Sequence, residues 1–308
     1  MTPPPIRIAT RGSPLALAQA HLVARLLCEH HGLPPDNVKI IEIRTSGDAI
    51  RDRKLSEIGG KGLFTKEIEE ALFEDRADLA VHSMKDVETL LPEGLKIAAL
   101  LEREDPRDVL ISNSGADAIA ALPQGAVMGT ASLRRAALVK ALRPDIEIAT
   151  LRGNVQTRLA KLDAGTVDAT LLAKAGLNRL GLEPERSSPI DTDEMLPAVA
   201  QGAIGIEIRE RDERLHTLVA PLNHPPTDQA VTAERALLAT LDGSCRTPIA
   251  ALATLQSGAL FLRALIAKPD GSSVHRAEIH GVPADASALG HSLGQRLKDM
   301  AGPGFLDP

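Results

Sequence analysis

From residue 6 onward, short apolar runs alternate with longer segments whose apolar positions recur every three or four residues, which are the marks of strand and helix respectively. Residues 6–10 (IRIAT) predict a strand. Ser13-Pro14 then supplies an N-cap and a proline at the first helical position, and the helix that follows stops at Gly32. A second strand is predicted over 38–45 (VKIIEIRT), a helix over 65–75 and a strand over 77–83 (ADLAVHS). The strand-then-helix alternation continues through 126–130 and 132–144, 146–151 and 154–165, then 168–173 and 175–182. Such alternation predicts βα units and largely parallel sheets with helices on both faces. It breaks after LNHPPTD (222–228), where a helix over 231–241 leads into LDGSCRTPIA (241–250). Apolar runs split by Gln256-Ser257-Gly258 and by KPDGSS (268–273) then predict an antiparallel meander, closed by a helix near 288–300. The fold class expected is α/β, with a smaller C-terminal α+β domain.

Composition narrows the function classes. The 308 residues are 44% hydrophobic and 25% charged, an ordinary globular balance for roughly two domains. Aromatic residues are 1% of the chain, with no Trp and no Tyr, so cores must be aliphatic and no base-stacking platform is available. A net charge of −6 argues against general attraction to polyanions, so no nucleic-acid partner is expected. Two cysteines form no disulfide framework and point to a reducing compartment. MTPPPIRIAT carries no charged-then-apolar leader, and no run approaches the ~18 apolar residues of a membrane span. A cytoplasmic monomer without membrane partners is expected.

Several arginines stand where helix electrostatics disfavours them. If Ser132 caps its helix, Arg134 and Arg135 fall in the first turn, where a cation is unfavourable by ~0.3–1 kcal/mol. Arg152 and Arg158 flank a helix start at Asn154, Arg11 precedes Ser13-Pro14, and Arg179 follows the strand ATLLA. Singly, each reads equally well as a solvated surface charge. Together they gather at strand C-terminal ends and helix N-termini, the ligand edge of open α/β sheets, where backbone N–H groups already favour anions. Arginine forks suit carboxylate or phosphate. GGKGLF (59–64) lacks P-loop spacing, so a small molecule bearing several carboxylates is favoured over a nucleotide. The polar, glycine-containing stretch 45–64 reads as a mobile flap or an ordinary surface loop.

At the end of strand 77–83, Lys85 is a Schiff-base nucleophile, an anion binder or a surface charge. Asp86 is a turn cap or a carboxylate for proton transfer. His82 reads as a hydrogen-bonded core histidine and Cys28, in an amphipathic helix, as core packing. Cys245 sits in a Gly-Ser-Cys loop, an unusual place for a structural cysteine.

The stretches RIATRGSPLALAQA, GGKGLF, VHSMKDV, GTASLRR, LRGNVQTRLAKL, QGAIGIE and ERALLATLDGSCRTPIA, in that order over nearly the whole chain, resemble the porphobilinogen deaminase family, the hydroxymethylbilane synthases. The resemblance implies two periplasmic-binding-like α/β domains around a cleft plus a C-terminal α+β domain, divided as 1–100 with 200–220, 101–199 and 221–308. It implies a transferase of tetrapyrrole and heme biosynthesis that joins four porphobilinogen molecules head to tail, releasing ammonia and giving hydroxymethylbilane. It also implies a dipyrromethane cofactor, covalently attached through Cys245 as a thioether that survives each round, and no metal. By motif position, Ser83, Lys85, Thr130, Ser132, Arg134 and Arg135 would hold the cofactor. Arg11, Ser13, Arg152, Arg158 and Arg179 would hold substrate carboxylates, and Asp86 would carry the catalysis. The chain departs from the family at Glu88, where proline is common, at Ala131 and Ala200, and at Arg246-Thr247.

The rival readings are a non-catalytic two-lobed binder of an anionic small molecule, which has no use for Cys245 or Asp86, and a DNA-binding regulator, for which no helix-turn-helix is found at the N-terminus. A third is a cysteine hydrolase using His275 or His280 as base.

Overall fold

The computed structural model describes residues 5–49, 62–243 and 247–305. In chain order its elements are β1 (Ile6–Arg11), α1 (Pro14–His31), β2 (Val38–Ile43), α2 (Ser46–Ala49), α3 (Lys66–Phe73), β3 (Leu79–Ser83), β4 (Leu95–Leu100), β5 (Asp108–Ser112), β6 (Val127–Gly129), α4 (Leu133–Leu142) and β7 (Glu147–Ala149). Then follow α5 (Val155–Asp163), β8 (Ala169–Ala173), α6 (Lys174–Arg179), β9 (Ser187–Pro189), β10 (Ile204–Arg209), α7 (Glu213–Val219), α8 (Pro225–Thr240), β11 (Ile249–Gln256), β12 (Ala259–Ala267), β13 (Val274–Gly281) and α9 (Ala286–Ala301).

Local signals start and stop these helices. Ser13 accepts a hydrogen bond from the Ala16 N–H, Pro14 opens α1, and Gly32 closes it in the left-handed conformation that glycine adopts without strain. Ser132 and Asn154 cap α4 and α5 by accepting from the N–H groups of Arg135 and Thr157. The Pro225-Pro226 pair begins α8, because proline in a first turn has no hydrogen bond to lose.

The described residues pack as two units. The first holds those up to 49, 62–104 and Ala203–Asp228. Its sheet has the order β2-β1-β3-β10-β4. β1 is parallel to β2 and β3, and β10 is antiparallel to β3 and β4. Strand alternation divides the side chains between two layers. Ile6, Ile8, Leu79, Val81, Ile206 and Ile208 pack against Val23 and Leu27 of α1 and Leu215 of α7. On the other face Ala9 and Ala80 pack against Ile68, Ala71 and Leu72 of α3. Cys28 does not join this core. Val23 and Leu27 carry the buried stripe of α1, and Cys28, one position further round, is half-exposed with its thiol 3.8 Å from the Pro34 carbonyl.

The second unit holds Asp105–Gly202 and the residues from Gln229 onward. Its larger sheet has the order β7-β6-β8-β5-β9, with β6 parallel to β7 and β8, and β5 antiparallel to β8 and β9. Both large sheets are therefore mixed rather than largely parallel, since single reversed strands enter through connections that periodicity does not reveal. The antiparallel sheet β11-β12-β13 shares a core with this layer, where Ala250, Leu252 and Leu265 pack with Leu110, Met128, Leu138 and Leu171. No Phe side chain is buried among the described residues, so these cores are aliphatic.

Helix α9 crosses α8 closely at Gly290, where an added Cβ would lie 2.2 Å from the Ala233 carbonyl oxygen and 2.7 Å from the Ala236 Cβ. Gly290→Ala is expected to lower stability by about 1–3 kcal/mol in urea denaturation, because overpacking against backbone outweighs alanine's better helix propensity. Unchanged stability would contradict this packing.

Candidate active site

In the first unit, the C-terminal ends of the neighbouring parallel strands β1 and β3 carry the candidate residues. Arg11 ends β1, and its guanidinium carbon lies 4.3 Å from the centre of the Phe64 ring, a cation–π distance. Ser13 follows as the α1 cap and still has its O–H to donate. Ser83 ends β3 and is held by Gln19, a buried α1 residue whose Nε2 donates to the Ser83 hydroxyl at 2.8 Å.

Lys85 and Asp86 share the single 3-10 turn Met84–Asp86 that follows β3, and both are half-buried. That turn is anchored from β10 and the residue just before it. The Met84 N–H donates to the Ala203 carbonyl at 3.0 Å, and the buried Met84 side chain occupies the space above Gly205, where a Cβ would come within 2.1 Å of its sulfur. Just upstream, His82 is buried with Nε2 2.8 Å from Glu207 Oε2. Just downstream, Glu88, one of the departures from the family pattern, accepts the Gly62 N–H at 2.7 Å.

In the second unit, the parallel strands β6, β7 and β8 point their C-terminal ends the same way. Thr130, buried after β6, accepts the Ser132 N–H through its hydroxyl oxygen at 3.1 Å, and Ser132 caps α4. Arg134 and Arg135 are only 4% and 5% exposed. Asp108, fully buried at the start of β5, resolves the electrostatic oddity noted in the sequence. It pairs with Arg134 at 2.8 Å and with Arg135 at 2.7 Å, and Gln201 donates to it at 2.9 Å. One further nitrogen of each guanidinium, Nη1, donates to a carbonyl, that of Leu196 for Arg134 and that of Leu171 for Arg135. Burial alone would push the Asp108 carboxyl up, but the two guanidiniums outweigh it and hold the group far below the usual carboxylate range. One carboxylate thus offsets half of the charge of the pair. The Arg134 Nε–H is buried without a hydrogen-bond partner among the described residues.

Arg152 follows β7, and Arg158, in the first turn of α5, donates from Nε to the Gly153 carbonyl at 2.8 Å. Arg179 ends α6 instead of following β8 directly, and donates to the Gly202 carbonyl at 2.6 Å.

Asp108, Gln201, Gln19 and Glu207 escaped the sequence reading. Each is an ordinary polar residue in an apolar stretch, and only the partner's position gives it meaning. Cys245 lies outside the described residues, as does most of the flap candidate, 50–61. His280 stacks on Phe261 and His275 meets Phe305 edge-on. Among the described residues no cluster of three or more His, Cys, Asp or Glu side chains could hold a metal, and no helix is long and apolar enough to cross a membrane.

Residues 6–217 match the family model described as the porphobilinogen deaminase dipyromethane cofactor binding domain, and residues 229–299 match the porphobilinogen deaminase C-terminal domain. The porphobilinogen deaminase of Nitrobacter winogradskyi is 53% identical over 298 residues, covering 97% of this chain and 94% of that protein. The enzyme of the same name from Paracoccus denitrificans is 54% identical over 303 residues, covering 98% and 96%. Among solved structures, a substrate-binding domain of a putative amino acid ABC transporter from Streptococcus pneumoniae is similar at 12% identity and a TM-score of 0.45, over 70% of this chain and 90% of that one. Matched along nearly its whole length by both family models and by relatives above half identity, the chain belongs to the porphobilinogen deaminase family.

Proposed function

We propose that Asp86 is the catalytic carboxylate, and Cys245 the cofactor anchor, in the family's transfer reaction. That reaction joins four porphobilinogen molecules head to tail, releases ammonia, and yields linear hydroxymethylbilane. The observation that carries the proposal is the short turn after β3, which presents a carboxylate and an ammonium side by side at the strand end next to Arg11 and Ser13.

Each pyrrole of the substrate carries an acetate and a propionate, so a growing chain accumulates carboxylates. The donors present suit them. Arg11, Ser13, Arg152, Arg158 and Arg179 supply guanidinium forks and a hydroxyl for substrate carboxylates. Ser83, Lys85, Thr130, Ser132, Arg134 and Arg135 would hold the dipyrromethane cofactor. The fit rests on the donors left over: the Arg134 Nε–H, without a partner among the described residues, and the hydroxyl hydrogens of Thr130 and Ser132, whose oxygens already accept backbone N–H groups. When bound, the cofactor supplies a pyrrole carbon as the nucleophile to which the first substrate is joined.

Asp86 acts on the incoming porphobilinogen. Its carboxylate accepts a hydrogen bond from the pyrrole N–H and stabilises the positive charge that spreads over the ring as the carbon–nitrogen bond breaks and ammonia leaves. It then accepts the proton released once the carbon–carbon bond has formed. Lys85 and Arg11 hold carboxylates and keep the ring oriented. Addition of porphobilinogen to the purified protein tests this reading. Ammonia release in step with hydroxymethylbilane formation is expected, and binding without release would favour the non-catalytic binder.

A further inference from the structure

Behind the Lys85–Asp86 turn lies a buried polar group that the reaction does not use. β3 and β10 run antiparallel with Ala80 opposite Glu207, so His82, two residues on, shares Glu207's face of the sheet. Helix α3 covers that face and brings Glu69 into it. Glu69, His82 and Glu207 are 7%, 6% and 0% exposed. One contact is made, between His82 Nε2 and Glu207 Oε2 at 2.8 Å. Of the other three carboxyl oxygens, Glu69 Oε1 and Glu207 Oε1 are buried and, like the Thr65 hydroxyl at the start of α3, have no hydrogen-bond partner among the described residues.

The surroundings disfavour an ionised Glu69. Glu207 from β10 and Glu88 from the segment after β3 act on Glu69 of α3, and His82 acts on it in the opposite sense. Burial pushes the Glu69 carboxyl up, and the Glu207 and Glu88 carboxylates push the same way. The Thr65 hydroxyl, near but outside hydrogen-bond geometry, and His82 pull against them without prevailing.

We propose that Glu69 is kept as a carboxylic acid and that Glu69, Glu207 and His82 together position the Lys85–Asp86 turn. The route is short. His82 is followed by Ser83 and then by the turn itself, and β10 with the residue just before it grips the turn at both levels, through Glu207 on His82 and through the Ala203 carbonyl on the Met84 N–H. A second buried negative charge at Glu69 competes for His82 and loosens the strand end that aims Asp86. Glu69, Glu207 and His82 are positioning residues, and this role rests on the assignment of Asp86 to catalysis.

The test compares wild type with E69Q, whose side chain copies a carboxylic acid that cannot ionise. A group held above its ordinary value contributes stability at low pH that is lost as pH rises through the folded-state value. Wild type should therefore lose urea stability relative to E69Q as pH rises above the ordinary glutamate value of about 4.3, and parallel midpoints would overturn the proposal. This arm is blind to what Asp86 does, so it can succeed or fail separately from the catalytic assignment. In ammonia release, the ratio of E69Q to wild-type kcat should climb as pH rises over the same range. A constant ratio, the result of a merely structural role, would overturn the positioning. Wild type alone gives a third reading that does not depend on the variant folding: infrared spectra should show the C=O band of one buried carboxylic acid persisting above the pH at which the exposed carboxyls ionise, and loss of that band together with theirs would overturn the proposal.

Discussion

Asp86→Asn is expected to remove nearly all turnover while leaving the fold in place. The substitution keeps the size and planarity of the side chain but takes away the negative charge. Asparagine can still accept a hydrogen bond from a pyrrole N–H. It cannot offset a full positive charge on the ring as ammonia leaves, and it cannot take up a proton afterwards. Removing a positioned general base costs ~10²–10⁴ in rate, and loss of electrostatic stabilisation in the same step costs a comparable factor. A fall in kcat of at least about a hundredfold is therefore expected, with KM little changed, since the proposal assigns carboxylate recognition to the arginines. Asp86 is half-buried in a surface turn whose backbone is fixed through Met84, so stability should stay within ~0.5 kcal/mol of wild type. Steady-state ammonia release with urea denaturation on the same preparations checks both halves. A folded variant with wild-type kcat would sink the assignment.

Asp108→Asn should produce the largest loss of stability. Asp108 is the one carboxylate against two adjacent buried guanidiniums, and it also receives Gln201. With asparagine there, Arg134 and Arg135 keep carbonyl acceptors at Leu196 and Leu171, but no carboxylate paired with them among the described residues remains to oppose their mutual repulsion. Breaking a buried ion pair by neutralising one partner costs about 3–5 kcal/mol. The pH dependence follows from the direction of the Asp108 shift. The folded-state value lies far below the unfolded one, so the contribution is fully present above the unfolded value and is lost only as pH falls toward the folded one. The deficit of the variant should thus be constant from about pH 5 to 8 and narrow in acid. Urea unfolding at pH 7 and pH 3 measures it, and a deficit below about 1 kcal/mol at pH 7 would contradict the ion-pair account.

These two residues also mark how far the sequence could be read. Asp86 was visible as a carboxylate at a strand end, because strand periodicity and a following turn are local signals. Ser13, Ser132 and Asn154 were visible as caps for the same reason, and each makes the capping bond its position predicts. Asp108 was not visible. It opens a five-residue strand, and its partners lie 26 and 27 positions away on another element, a relation that no local pattern carries. Glu207 is hidden in the same way within an apolar strand whose antiparallel pairing with β3 depends on a long return of the chain. That reversal, repeated by β5 in the second unit, is why the alternation suggested parallel sheets. The prolines of LNHPPTD read as a break between elements, but proline is as well suited to begin a helix as to end one, and α8 starts at Pro225. Arg134 and Arg135 were rightly odd for a helix start. Their oddity has an internal answer in Asp108, and sequence alone could not divide their charge between a protein carboxylate and a ligand.

The covalent anchor is the part of the proposal that sets this reaction apart from simple binding of an anionic ligand, and it can be weighed directly. The intact mass of the denatured wild-type protein, purified from cells making porphobilinogen and compared with Cys245→Ser, should exceed the chain mass by two linked pyrrole units in wild type only. The bare chain mass in wild type, unchanged after incubation with porphobilinogen, would contradict the account, as would the same excess in the serine variant.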